Sequence, residues 1–135
     1  MRLYISVLLL FLILLGCSNN TGLFDFAQLV EELEGAKVNY SIIENNEKDP
    51  FFSVPPKAIN VSGEYILIYE YPTKEDMEKD ASAIHPDGNI GNASISYISD
   101  PHYFKKGNII VQYTGKNKVI LQNLEKIFGK QFAGR

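Results

Sequence analysis

Two continuous apolar runs, Ile66-Leu67-Ile68-Tyr69 and Ile109-Ile110-Val111, constrain this chain more than any other feature. Each is short, rich in β-branched residues and preceded by a glycine, Gly63 or Gly107, at a turn position. Such a run reads as a central strand covered on at least one face by helices. Strands of that kind belong in the middle of a sheet that helices cover. Leu67 is therefore expected to be buried. Ahead of each glycine, Ala58-Ile59-Asn60-Val61 and His102-Tyr103-Phe104 supply the partner strand of a hairpin.

Laid on itself with a shift of 44 residues, the chain places Gly63 on Gly107, Thr73 on Asn117, Met77 on Leu121 and Ile84 on Phe128. That alignment predicts an internal repeat of strand, turn, strand and helix. The helices run over Lys74 to Ile84 and Lys118 to Phe128, with Thr73 and Asn117 as N-caps. A further helix begins at Asp25, where Gln28 completes a capping box, Phe24 can staple onto Leu29, and Gly35 supplies the stop. Ala36 to Ile42 alternates as a strand, and Ser94 to Ile98 reads as another. In the loop from Glu44 to Pro56, Phe51 and Phe52 are expected to plug the edge of the core. The fold class is α+β: a mostly antiparallel sheet of about five or six strands, with helices on one face.

The first residues carry a different signal. Arg2 is followed by an apolar run from Leu3 to Leu15, then Gly16-Cys17. Thirteen residues make a helix of about 20 Å, short of the ~30 Å hydrocarbon core, which marks a secretory signal rather than a membrane span. Leu14-Leu15-Gly16-Cys17 resembles the lipobox of bacterial lipoproteins, in which cleavage precedes a cysteine bearing a diacylglyceryl group. The resemblance implies residues 1–16 as signal peptide, Cys17 as the lipidated first residue, 17–23 as a polar tether and 24–135 as a single domain. Ser18 to Gly22, fully extended, reaches about 17 Å. A domain so held sits close to the outer face of the cytoplasmic membrane.

From Phe24 onward the chain is similar to small bacterial lipoproteins of unassigned function. The resemblance rests on Phe24-Asp25-Phe26 with Leu29-Val30, on Phe51-Phe52-Ser53-Val54 and on the strand pair from Asn60 to Tyr71. Pro86-Asp87-Gly88 before Ile90-Gly91, Pro101 to Gly107, and Gln131-Phe132-Ala133-Gly134 complete it. It implies the lipid anchor and the fold, and brings no catalytic residue with it.

Charge is unevenly spread. Cys17 to Asp100 holds 5 Lys against 15 Asp and Glu, whereas Pro101 to Arg135 holds 6 Lys and 1 Arg against Glu125 alone. A basic face toward anionic head groups or wall polyanions is one reading; neutralisation of the basic part by the acidic part is the other. A net charge of −3 speaks against nucleic acid as a partner. Pro101-His102-Tyr103-Phe104-Lys105-Lys106 is the densest aromatic and basic cluster. His102, Tyr103, Lys105 and Lys106 could hold an anionic or sugar ligand. The same residues read equally as a strand end and a soluble hairpin turn, which is the stronger reading.

The one cysteine excludes a disulfide framework within the chain, and no histidine pair has metal-ligand spacing, so no metal or cofactor is implied. Glu75, Asp76, Glu78 and Asp80 read as the wet face of one helix. No nucleophile elbow or phosphate loop stands in the chain; Asp100 with His102 is the one pair that could serve a hydrolase. The expected function is a membrane-anchored, extracytoplasmic, non-catalytic binding or accessory module for an envelope protein or polymer. Its expected partners are the membrane, through the lipid on Cys17, and an envelope protein or wall polyanion. The alternatives are an anionic small-ligand or glycan binder, and a hydrolase.

Overall fold

The structure, a computed structural model, describes residues 23–45 and 47–135. The signal segment, Cys17 and all of the tether but Leu23 lie outside the described residues. The chain forms α1 (Phe26–Gly35), β1 (Tyr40–Ile43), β2 (Pro56–Val61), β3 (Glu64–Glu70), α2 (Lys74–Ala81), β4 (Pro101–Lys106), β5 (Ile109–Thr114), α3 (Lys118–Phe128) and β6 (Ala133–Gly134). The six strands make one open sheet in the order β1-β2-β3-β5-β4-β6, with every neighbouring pair antiparallel.

The helix starts follow the sequence signals. Asp25 and Gln28 close a capping box on α1, and the Glu70 carboxylate accepts from the Phe26 N–H at 2.8 Å, tying the helix to β3. Thr73 accepts from the Asp76 N–H to start α2, and Asn117 accepts from Val119 and Ile120 to start α3. α1 ends in a turn in which Lys37 adopts φ +56, so β1 begins at Tyr40 rather than Ala36. α2 stops at Ala81, three residues before the expected end.

Strand alternation builds two cores on opposite faces of the sheet. On the first face Ile59, Ile66, Ile68, Val111 and Phe104 pack under Leu29 and Leu33 of α1 and Ile120, Leu124 and Ile127 of α3. On the second, Tyr69, Tyr103 and Ile110 pack under Met77 and Ala81 of α2, with Phe52, Ile84 and Ile90 closing the edge. The helices thus divide between the faces, correcting the expectation that they share one. Phe52 stacks on Tyr69 at 3.9 Å and is buried, as expected; Phe51 is exposed.

The division has a one-residue cause, and it undoes the 44-residue repeat as a structural unit. The hairpin turns are Ser62-Gly63 and Gly107-Asn108, so Gly63 and Gly107 hold different places in their turns. In the sheet, Leu67 faces Gln112, Ile66 faces Tyr113 and Ile68 faces Val111. Within the hairpins Val61 pairs with Glu64 and Lys106 with Ile109, which superpose with a shift of 45, whereas Thr73 and Asn117, the helix caps, stand 44 apart. A slip of one residue exchanges the faces of a strand. The hairpins match in their own register, but α2 and α3 lie on opposite sides of the sheet.

Two further expectations change. Ser94 to Ile98 forms no strand: Ile95 N–H donates to the Asn89 side chain and the Tyr97 hydroxyl to the Gly88 carbonyl, folding the segment onto the preceding loop. The sheet edge it would have used is taken by β6, paired to His102 and Tyr103. The chain enters the domain at the tip of the β4–β5 hairpin. There Asn108 N–H donates to the Phe24 carbonyl, and Gly107, at φ +59, packs so closely on Phe24 that a Cβ would collide with its backbone.

Leu67 is half-buried, whereas its neighbour Ile68 is fully enclosed on the first face. Ile68→Asp is expected to abolish cooperative thermal unfolding followed by circular dichroism, because an unpaired buried carboxylate costs several times ~1 kcal/mol against a total of about 5–15. Leu67→Asp is expected to leave a folded, cooperative protein. Gly107→Ala should lower stability by about 2 kcal/mol in urea titrations. Gly35→Ala, where a Cβ meets nothing within 4 Å, should leave it unchanged or raised.

Candidate functional site

The strand carrying the sequence-level candidates sends them to opposite faces. His102 is buried on the first face: its Nε2–H donates to the Gly115 carbonyl at 3.0 Å, and Nδ1 meets the Gln131 side chain at 2.7 Å. Tyr103 is fully buried on the second face, where its hydroxyl donates to Tyr97 at 2.7 Å while Tyr97 donates to Gly88. Lys105 pairs with Glu78 of α2 at 2.5 Å and lies over the Phe132 ring. Lys106 donates to the Ile127 carbonyl at the end of α3 and lies over Phe24. Each has a partner inside the fold, and the four do not make one surface. The basic part of the chain, Pro101 to Arg135, is also partly neutralised by the acidic part, through Lys105–Glu78 and Lys116–Asp100. Asp100 turns to Lys116 and His102 to Gln131, so the two do not meet. Among the described residues no group of three or more His, Cys, Asp or Glu stands together to hold a metal ion.

The open site is elsewhere, on the second face. α2 and the segment after it cover one end of that face, the end near the hairpin tip. The other end is bare. Its floor is Ala58 of β2, Leu67 of β3 and Gln112 and Thr114 of β5, a small residue, a half-buried leucine and two polar groups. Glu44, Asn45 and Glu47 stand on one side and Ile98-Ser99 on the other, bordering a trough of about 930 Å³. A second recess of about 350 Å³ shares Leu67 and Gln112 with it and runs under Phe51 toward Tyr97 and Tyr103. These volumes lie in the range of ligand-binding clefts.

Exposed apolar side chains gather here. Tyr65 is 60 % exposed, Ile98 101 % and Ile43 37 %, all lining the trough, and Phe51 borders the recess. The remaining large exposed apolar residues, Leu23, Ile42 and Val119, line neither. Exposed apolar side chains gathered around one cleft mark a binding surface more often than scattered ones do. Sequence reading missed it because no motif announces it. Its members come from β1, β3, β5 and two loops. The available signal was the pair of isoleucines at the ends of polar stretches, Ile43 before Glu44 and Ile98 before Ser99.

Phenols lie under the recess and the covered end of this face. Tyr69 donates to the Asp49 carboxylate at 2.7 Å with Gln112 at 3.2 Å, which fastens the segment at Asp49 to the sheet. Tyr71 donates to Asp80, whose carboxylate also accepts from Ser53 N–H and Oγ. Burial, foremost, and then the carboxylate partner push Tyr69 and Tyr71 well above the ordinary phenol value of 10. Burial and the bond to Tyr97 do the same to Tyr103. The arrangement is a hydrogen-bonded wall of the recess, at Asp49, Gln112, Tyr97 and Tyr103, beside an uncovered floor of mixed polarity, suited to binding.

Comparison of the chain with protein-family models, with curated proteins and with solved structures returned no match. Among the described residues, no helix is long and apolar enough to cross a membrane.

The raised phenols give an alkaline signature. Above about pH 10 the unfolded chain releases phenolic protons that the native protein retains, so stability falls as pH rises and is unaffected by these groups below that value. Absorbance at 295 nm should show a late block of tyrosinate appearing together with loss of circular dichroism. Smooth ionisation of every tyrosine in a still-folded protein would contradict the hydrogen-bonded wall.

Proposed function

We propose that this chain is a lipid-anchored, non-catalytic binding module of the bacterial envelope. A diacylglyceryl group on Cys17 holds it to the outer face of the cytoplasmic membrane, and the trough receives a segment of an envelope protein. One observation carries the reading: the uncovered trough lies at the end of the sheet opposite the point where the chain enters. Phe24 is clasped at the β4–β5 turn, whereas Tyr65, Thr114 and Ile98 border the far end. β5 alone, from Ile109 to Thr114, separates those ends by about 17 Å. Cys17 stands seven residues before Phe24, within about 25 Å of it even when fully extended. A domain tethered in this way rests its hairpin-tip end toward the lipid and turns the trough outward.

Two acyl chains anchor far more firmly than one, at about 0.8 kcal/mol per buried CH₂. Neither wall polyanions nor glycans are favoured, because Lys105 and Lys106 are engaged within the fold.

Cys17→Ala is expected to abolish incorporation of labelled fatty acid and to release the protein from membranes. A photo-crosslinking residue at position 98 in intact cells should then give a discrete protein adduct, and one at Val119, exposed on α3 and outside the trough, should not. Continued acyl labelling of Cys17→Ala, or equal crosslinking at both positions, would overturn the proposal.

A further inference from the structure

The trough's chemistry defines its occupant more narrowly. We infer that it takes an extended peptide segment of a partner protein carrying apolar side chains next to lysine or arginine. The inference rests on the reading above, that the domain is tethered at its hairpin-tip end.

Three features lead there. First, Leu67 and Ala58 lie in the floor and the exposed Ile43, Tyr65 and Ile98 line the same trough, so the ligand must bring apolar surface to cover them. Second, the charges free to meet a ligand at the mouth are mainly negative. Glu44 and Glu47 are exposed on the loop that forms one wall, and among the described residues neither is in an ion pair. Lys116 on the opposite wall lies 3.5 Å from Asp100, which offsets its charge; Glu64 adds a further carboxylate to the trough, and Lys48, next to Glu47 in sequence, lines the neighbouring recess. The Tyr65 ring lines the same trough and adds an aromatic face to it. Third, the trough opens at the far end of the sheet from the entry of the tether, which directs it away from the bilayer and makes an acyl chain or lipid head group the wrong occupant. The floor spans β2, β3 and β5, strands ~4.8 Å apart. That breadth suits an extended chain with side chains set into successive positions.

The chain contains no tryptophan, so a tryptophan-bearing peptide reports its own binding by fluorescence. The probes are two short peptides of the same leucine and tryptophan pattern, one with lysines and one with glutamates between the apolar residues. The lysine peptide is expected to bind the mature domain at least tenfold more tightly than the glutamate peptide. Glu44→Gln with Glu47→Gln should weaken it about tenfold and reduce its salt dependence. Ile98→Ser should weaken both peptides. Glu31→Gln with Glu75→Gln, on helix surfaces outside the trough, should change nothing and serves as the charge control. All of these positions are exposed, and circular dichroism verifies that each variant folds.

Equal affinity for the two peptides, or lysine-peptide binding indifferent to the Glu44 and Glu47 changes, would overturn the inference. Self-association in sedimentation that Ile98→Ser abolishes would assign the trough to a second copy and overturn it also, as would partition into phosphatidylglycerol vesicles that requires Tyr65 and Ile98. Crosslinking at position 98 in cells with no charge preference among the peptides would sink this inference and leave the binding module standing.

Discussion

β3 and β5 meet along five residue pairs, from Ile66 opposite Tyr113 to Glu70 opposite Ile109, and this seam joins two hairpins that would otherwise be separate. A lone hairpin is marginal in water, whereas joined strands with a covered face are stable. The seam also fixes which side chains share a face. Ile66, Ile68 and Val111 face α1 and α3, while Tyr69 and Ile110 face α2. Both sets are fully or almost fully enclosed. Moving this register by one residue would exchange the two cores, so the position of every helix and of the trough depends on it.

The two faces solve burial differently. The first is covered along its length by two helices, and its members are nearly all aliphatic or phenylalanine. The second has one eight-residue helix and must use loops for the rest. Loops bring backbone polar groups and carboxylates into contact with the sheet, and these require donors. Tyr69, Tyr71 and Tyr103 provide them: the rings fill the core while each hydroxyl reaches Asp49, Asp80 or Tyr97 at its margin. These hydrogen bonds thus mark the margin where loops and the last turn of α2 together meet the sheet.

What was legible in the residues follows from the range over which each signal acts. Capping at Asp25, Thr73 and Asn117, the strand character of Ile66 to Tyr69 and the glycine turns are local, and the six-stranded antiparallel α+β sheet they imply is the one formed. Ser94 to Ile98 alternates like a strand, yet strand formation needs a free edge, and Ala133-Gly134 occupies the only one beside β4. A two-residue strand carries no period to read. Leu67 reads as central because its strand is central, but burial of a residue in a sheet also requires a layer above it, and that layer stops short of Leu67. Such information belongs to the lengths of α2 and its following loop, not to Leu67 or its neighbours.

The same limit explains why the aromatic and basic cluster at His102 to Lys106 misdirects a reading by composition. Along a strand, neighbours in sequence point apart, so four promising side chains in five positions cannot converge on one ligand unless the strand is bent. Here β4 is regular and paired on both edges, and its residues divide between Gln131 and Ile127 on one face and Tyr97 and Glu78 on the other. The residues that do converge, Ile43, Tyr65, Leu67 and Ile98, are widely separated in sequence and individually unremarkable. A site assembled across a sheet is written in register and in loop length. In this chain both are set by the seam between β3 and β5, which places an uncovered floor at the end of the sheet opposite the β4–β5 turn that holds Phe24.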